Sequence, residues 1–427
     1  MFFDWHLALL SLLAGSILLI GAVFSRVYEG TVFAPATAML LTWGAALVVL
    51  AFLPLLGFYH LAVKAVLLYI MGTVWFAFIA ILTSWVLAQS IRVGAYSPVG
   101  PADKLNFGHL LMLWVVIAII SYPLAIINIL NYGSNMTEIS YSIRRASVSG
   151  EDILNPLVSN FFVLIGVLAN IFLFGVLNKK VNPLSFVILV TPFVAISLIV
   201  YGRSGLVSLI LGWLVIFSIF SDKLKIRYLA IPILLLFCII FFGGIWVKKF
   251  DVEEQTVSDT LLVMVEHIFD YFYQGPILFS RYFTGEIDVT TNWDFTNSAC
   301  HILSKIGMCQ PLHQHADFFD YGDLRSGNVY SIYFSIIPHY GYIGLLVVFG
   351  VYAAFLSVIY HYMKLKKLFS FVLYPAMFSA IVLSVFKDGI GYSFYWMIKV
   401  LIICIFLRLF FYDRNYQSKH CFSRAKV

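Results

Sequence analysis

Long apolar runs separated by short polar breaks repeat along this chain from end to end. A helix needs about twenty consecutive apolar residues to cross the hydrocarbon layer of a bilayer. Eleven stretches meet that requirement, near 6–25, 32–56, 62–90, 108–130, 157–178, 184–201, 205–220, 228–246, 339–360, 371–386 and 392–411. The third is long enough to tilt or to end in an amphipathic turn, and the seventh is short. The runs are continuous rather than alternating, which predicts helices and not barrel strands. The expected fold is therefore an all-α polytopic membrane protein. The first run, Leu7 to Phe24, lacks a basic leader and a cleavage site, so it reads as a retained helix.

One interval breaks the pattern. From Lys248 to about Gly344 the chain becomes polar and mixed in sign before it returns to apolar sequence. The chain divides accordingly into an N-terminal transmembrane bundle of about eight helices (1–246), a large loop (247–338), and C-terminal helices with a tail (339–427). Inside the loop, Leu262, Val265, Phe269 and Phe272 recur at helical spacing, with Glu266 and Asp270 on another face. That spacing predicts an amphipathic helix over Asp259 to Tyr273, lying on the membrane surface. Asn328 is placed to cap a second short helix that ends before Pro338. Pro338 would then separate that helix from a span beginning near His339. Cys300 and Cys309 share the loop and fit either a disulfide, in an oxidising compartment, or two free thiols.

Composition sharpens the class. Only 11% of residues are charged and 62% are hydrophobic, where a soluble chain carries about 25% charged residues. The net charge of +6 matters through its distribution, because basic residues concentrate in cytoplasmic loops. One alternating set of loops holds Arg26, Arg92, Lys104, Lys179, Lys180, Lys223, Lys225, Arg227, Lys364, Lys366, Lys367 and the basic tail. The opposite set holds only Lys64, Arg144, Arg145, Arg203 and Lys387. The rule puts the N-terminus and the large loop outside and the C-terminus in the cytoplasm. No polar segment presents a basic face interleaved with stacking aromatics, so nucleic acid is not an expected partner.

On the outward side, where basic residues are few, each one is a candidate. Arg144 and Arg145 are adjacent on the first outward loop, and Arg203 lies in Tyr201-Gly-Arg-Ser-Gly-Leu206 between two apolar helices. Guanidinium forks suit phosphate, although snorkelling to lipid headgroups accounts equally for the adjacent pair. Arg281 and Arg325, in the large loop, fit either a phosphate or sugar contact or an ion pair with neighbouring acids. His339, at the mouth of a span, fits a general acid or base or an interfacial hydrogen bond. Glu266, Asp270, Glu286 and Asp288 are candidate bases among which the sequence does not choose. Lys399, inside the last apolar run, requires a partner or a cavity. His313, His315, Asp317, Asp320 and Asp323 match no metal-site spacing. Neither a metal nor a cofactor is expected.

Three motifs carry a resemblance. Tyr201-Gly-Arg203-Ser-Gly-Leu opens an outward hairpin. Gly275-Pro leads through Arg281-Tyr-Phe to Trp293 and Phe295. Asn328-Val-Tyr330-Ser precedes Tyr340-Gly-Tyr-Ile-Gly344. Together they resemble the Wzy-type O-antigen polymerases, the oligosaccharide repeat-unit polymerases of bacterial inner membranes. His339 departs from that pattern, standing where many relatives carry an acid. The resemblance implies a GT-C-like glycosyltransferase with a periplasmic loop. It would transfer a growing glycan from undecaprenyl diphosphate to the non-reducing end of another lipid-linked repeat unit. For that reaction the residues expected to be catalytic are Arg203 and His339, with Arg144, Arg145, Arg281, Arg325, Asn328 and Tyr330 expected at the substrate. Membrane lipid and a chain-length regulator in the same membrane are the implied partners. An O-antigen ligase and a lipid-linked oligosaccharide flippase are the competing readings.

Overall fold

The computed structural model describes residues 4–91, 101–135, 138–139, 141–143, 146, 153–200, 202–220, 257–288, 296–310, 318–323 and 325–412. Among them the chain is a multi-pass helical membrane protein, with nine helices long and apolar enough to cross a bilayer. In order these are α1 (Trp5–Glu29), α2 (Pro35–Phe52), α3 (Val63–Ile91), α4 (Phe107–Leu130), α5 (Pro156–Leu177) and α6 (Pro183–Val200). The helix α7 (Gly202–Phe220) follows, and its apolar core, Gly205–Ile219, is shorter than a full span. The loop contributes α8 (Val257–Phe283), α9 (Asn297–Leu303) and a hairpin of β1 (Phe319–Gly322) with β2 (Arg325–Gly327). The chain closes with α10 (Ile337–Lys364), α11 (Leu368–Val382) and α12 (Phe394–Phe411). The expected span at 228–246 lies outside the described residues.

The chain separates into two compact units, each assembled from three stretches of sequence. The first comprises Met1–Gly94, Phe250–His361 and Met377–Tyr395. Here α1 turns a stripe of Leu9, Leu13, Ile17, Ile20 and Phe24 outward, while Ala8, Ser11, Ala14, Gly15 and Leu18 are buried. Small residues let membrane helices approach closely, and Gly15 and Gly44 do this for α1 and α2. A Cβ on Gly15 would stand 2.7 Å from the Gly44 carbonyl oxygen. Further in, Trp43, Tyr69, Phe279, Tyr333 and Phe349 form a buried aromatic cluster. Its polar atoms are matched: Trp43 Nε1 donates to Ser384 Oγ at 2.9 Å, and Tyr69 OH to the Pro276 carbonyl at 2.7 Å.

The second unit comprises Ala95–Lys249, Tyr362–Ala376 and Trp396–Val427. Trp114 packs edge-on against Phe172 with ring centroids 5.0 Å apart, and Phe162 meets Phe193 at 5.6 Å. Prolines inside α4 and α6, Pro123 and Pro192, are accommodated within the helices, as neighbouring helices allow in membranes.

Several local expectations change. The loop helix runs ten residues beyond Tyr273, through Gly275 and Pro276, to Phe283. Its C-terminal half is core rather than surface, since Ile277, Leu278 and Phe279 are fully buried. Asn328 caps no helix; a short 3-10 turn at Ile332–Ser335 has Ser331 at its N-cap position. Pro338 is not a separator either. It sits in the first turn of α10, where its missing N–H costs nothing. The break comes three residues later, at Gly341 (φ 60°, ψ −159°), a backbone shape that glycine tolerates. The loop cysteines, left open between disulfide and thiols, are joined as Cys300–Cys309, with Cα atoms 5.5 Å apart.

Candidate functional site

The candidate site lies in the first unit, where α8 carries Asp270, Gln274, Gly275 and Arg281 along its length. Arg325 on β2 reaches back to this helix: its Nη1 is 2.6 Å from Asp270 Oδ1. Its Nη2 donates to the Leu56 carbonyl at 3.3 Å, and its guanidinium lies over the Phe58 ring at 4.5 Å. Tyr321 also bonds to Asp270, and burial, then that carboxylate, push its phenol well above the usual range. Arg281 works in parallel. Its Nε pairs with Glu286 Oε2 at 3.1 Å, its Nη1 donates to the Asp320 carbonyl, and it lies 4.7 Å from the Tyr59 ring centroid. Backbone bonds complete the clamp, with Tyr59 N–H donating to Tyr321 O at 3.0 Å and Asp323 N–H to Gly57 O at 2.7 Å. Of the two readings left open for these arginines, the ion pair describes both.

Gly327 and Gly275 permit this docking. A Cβ on Gly327 would overlap Gln274 Oε1, and one on Gly275 would meet Ser331 N and Val385 O at 2.9 Å each. The chain after β2 therefore runs directly over α8. Asn328 is half-buried there, and Tyr330 is buried, its ring 4.6 Å from Phe334. His339 is exposed on the first turn of α10, and its backbone N–H donates to the Ile336 carbonyl at 3.3 Å.

A buried acid organises the neighbouring turn, between α11 and α12. Asp388 is 2% exposed and accepts from Ser335 Oγ at 2.9 Å, Tyr352 OH at 3.2 Å, Ile390 N at 3.1 Å and Gly391 N at 2.9 Å. Burial raises its carboxyl above the ordinary aspartate range, against the pull of those four donors. Beside it, Lys387 is half-buried, and burial lowers its ammonium below the usual lysine range. Among the described residues Lys387 Nζ has no hydrogen bond or ion pair. Sequence reasoning counted Lys387 only as an outward charge and passed over Asp388. The available signal was an adjacent Lys-Asp pair in a turn of five residues between two apolar runs.

At the end of α8 a cleft of about 390 Å³ is lined by Tyr282, Phe283, Gly285, Ile287, Asp288 and Ile337. Gly285, at φ 78°, reverses the chain so that Glu286 N–H donates to Arg281 O at 2.9 Å. This left-handed helix cap brings Glu286 to Asp288 back beside the helix. Burial, then the Asp288 charge, raise the Tyr282 phenol above its usual range.

The structure brings Arg281, Arg325, Asn328, Tyr330 and His339 into one unit with this cleft. Arg203 belongs to the other unit, as the second residue of α7. Arg144 and Arg145 lie outside the described residues, as do His313, His315 and Asp317. Among the described residues no three His, Cys, Asp or Glu side chains group as metal ligands. Lys399 is half-buried on α12. Compared with known proteins, the chain matches no family model, no curated protein and no solved structure.

Proposed function

We propose that this protein is a glycosyltransferase that polymerises lipid-linked oligosaccharide repeat units at the outer face of a bacterial inner membrane. It moves a growing glycan from undecaprenyl diphosphate to the non-reducing end of the next lipid-linked unit. The observation that carries this reading is the folded loop. In a chain otherwise made of lipid-soluble helices, α8 and the β-hairpin are joined by an ion pair and close backbone packing, and α8 ends at a cleft. A disulfide in that loop suits an oxidising compartment. This agrees with the basic-residue asymmetry that puts the loop outside and the C-terminus inside.

The chemistry needs preorganised positive charge at the departing diphosphate, supplied here by Arg203, Arg144 and Arg145. Lys387, a half-buried ammonium without a partner among the described residues, is a further cation of the unit that carries the loop. His339 is exposed for proton transfer. Asn328 and Tyr330 shape the glycan side, and Arg281 and Arg325 serve it by holding the loop in place. The motif resemblance supports this family of reactions.

Deletion of the gene in its host, followed by lipopolysaccharide banding, tests the reading. Core capped with a single repeat unit is the expected result. Loss of all repeat units with full-length lipid-linked chains accumulating outside would identify a ligase instead. Unpolymerised units trapped on the cytoplasmic face would identify a flippase. Arg203→Ala should abolish chain extension at normal protein abundance, and long chains from that variant would sink the diphosphate role of Arg203.

A further inference from the structure

We propose that the cleft at the end of α8 is the acceptor-saccharide subsite, and that Asp288 receives the proton of the attacking hydroxyl. This rests on the polymerase reading and assigns one of its two substrates a place. The lining selects the ligand class. Phe283, Ile287 and Ile337 offer apolar faces, while Asp288 and the Tyr282 hydroxyl supply polar groups at the same opening. A sugar ring has the same division, with C–H faces that pack on aromatic and aliphatic carbon and a hydroxyl edge that bonds to a carboxylate. The volume, about 390 Å³, falls within the range of about 300–1,000 Å³ typical of small-molecule sites. A diphosphate does not suit the cleft, because among the described residues its one charged lining group is the Asp288 carboxylate.

Of the four candidate loop acids, Asp270 and Glu286 are paired, the side chain of Glu266 lies outside the described residues, and Asp288 is the one that lines the cleft. Asp270 is held by Arg325 at 2.6 Å. Glu286 is held by Arg281 at 3.1 Å and by Thr284 Oγ1 at 2.9 Å. Asp288 has no cation or hydrogen-bond donor among the described residues, is exposed to the cleft, and lies near the Tyr282 phenol. Its position is built rather than incidental. The Gly285 cap returns the chain along α8, and Phe283 packs edge-on against Tyr342 with centroids 6.0 Å apart. Ile337, two residues before His339, completes the wall.

In the transfer, the acceptor hydroxyl oxygen bonds to the anomeric carbon of the donor glycan. The anomeric C–O bond to the carrier breaks, and its electron pair leaves with the diphosphate. The hydroxyl proton passes to the Asp288 carboxylate and then to water. No oxidant or further reactant is required.

The test is complementation of the deletion host with the wild-type gene and with Asp288→Asn, Asp288→Glu and Tyr282→Phe, reading chain length on gels and abundance by immunoblot. Wild type should restore long chains. Asp288→Asn should leave single-unit caps, with extension reduced about 100-fold or more, as expected for loss of a general base. Asp288→Glu should recover part of it, and Tyr282→Phe should shorten the chains. If Asp288→Asn restores full-length chains alongside wild type, the cleft assignment falls and the polymerase reading stands. If the deletion leaves the chains unchanged, the polymerase reading itself falls, and this inference with it. Should Asp288→Asn be absent from the membrane, Asp288→Glu and Tyr282→Phe decide, and wild-type chain lengths from both overturn the proposal.

Discussion

Replacing Asp388 by alanine removes four hydrogen-bond acceptances at a position 2% exposed. Ser335 Oγ keeps a partner, the Ile332 carbonyl at 2.8 Å. Two backbone donors lose their acceptor, Ile390 N–H and Gly391 N–H. Each buried donor without a partner costs about 1–3 kcal/mol, so the expected loss is about 2–6 kcal/mol. Water entering the vacated space brings the value toward the lower end. Asparagine is a gentler probe. Its oxygen still accepts from Ile390 and Gly391 and its amide donates to Ser335 Oγ, so both backbone donors stay satisfied and the expected loss is smaller than for alanine. The assay is reversible unfolding of the purified chain in detergent micelles, followed by tryptophan fluorescence during a titration with denaturing detergent. Alanine should lie well below asparagine, and asparagine below wild type. An alanine variant within about 0.5 kcal/mol of wild type, the range of ordinary surface changes, would refute the view that Asp388 holds this turn.

The raised carboxyl of Asp388 also predicts a pH slope. As pH falls, the folded state takes up this proton before the unfolded state does. Stability should therefore be fullest below the unfolded value of about 4 and decline as pH rises through the folded value. Asp388→Asn should remove that slope in the same unfolding assay, and an unchanged slope would assign it to another group. The Arg325–Asp270 pair is part-buried, so a double-mutant cycle to alanine should give a coupling of about 1–3 kcal/mol, between exposed and buried ion pairs. A coupling inside the additivity error of about 0.3–0.5 kcal/mol would remove the clamp from the account. Gly327→Ala should loosen the hairpin, measured by faster protease cleavage of the loop, because its Cβ overlaps Gln274 Oε1. Combining it with Gln274→Ala should restore part of the protection, since Tyr321 Cε1 still stands 2.9 Å from that Cβ, and no recovery at all would mean the Gln274 overlap is not the cause.

The spans were legible because lipid punishes any unpaired polar group, which forces long apolar runs into the sequence itself. The expected 6–25 became Trp5–Glu29, and the expected 157–178 became Pro156–Leu177. The loop was harder to read, for reasons that lie in tertiary contact. Gly275 and Pro276 look like a helix end. Yet Gly275 is there to let Ser331 N and Val385 O approach, and the helix continues past it. Arg325 and Arg281 find partners 55 and 39 residues away in sequence, on Asp270 and Asp320. No local pattern announces such pairs. Asp388 is the clearest case, because the Ser335 and Tyr352 hydroxyls that satisfy it come from distant stretches of chain. The choice among the loop acids also depended on pairs made in the folded chain, which hold Asp270 and Glu286.

The first unit's discontinuity has a consequence for biogenesis. Its members are separated by the whole of 95–249 and again by 362–376. The α1–α2 hairpin, with Gly15 against Gly44, can pair in the bilayer as soon as both helices leave the ribosome. The Trp43 indole cannot be satisfied then, since Ser384 lies 341 residues further on. Synthesis therefore proceeds with a polar N–H waiting in an apolar setting until the 377–395 stretch arrives. The same stretch delivers Asp388 to Ser335 and Tyr352. Translation order thus makes this surface the last part of the unit to close, so a nascent chain stalled before residue 377 would display the loop without the turn that organises it.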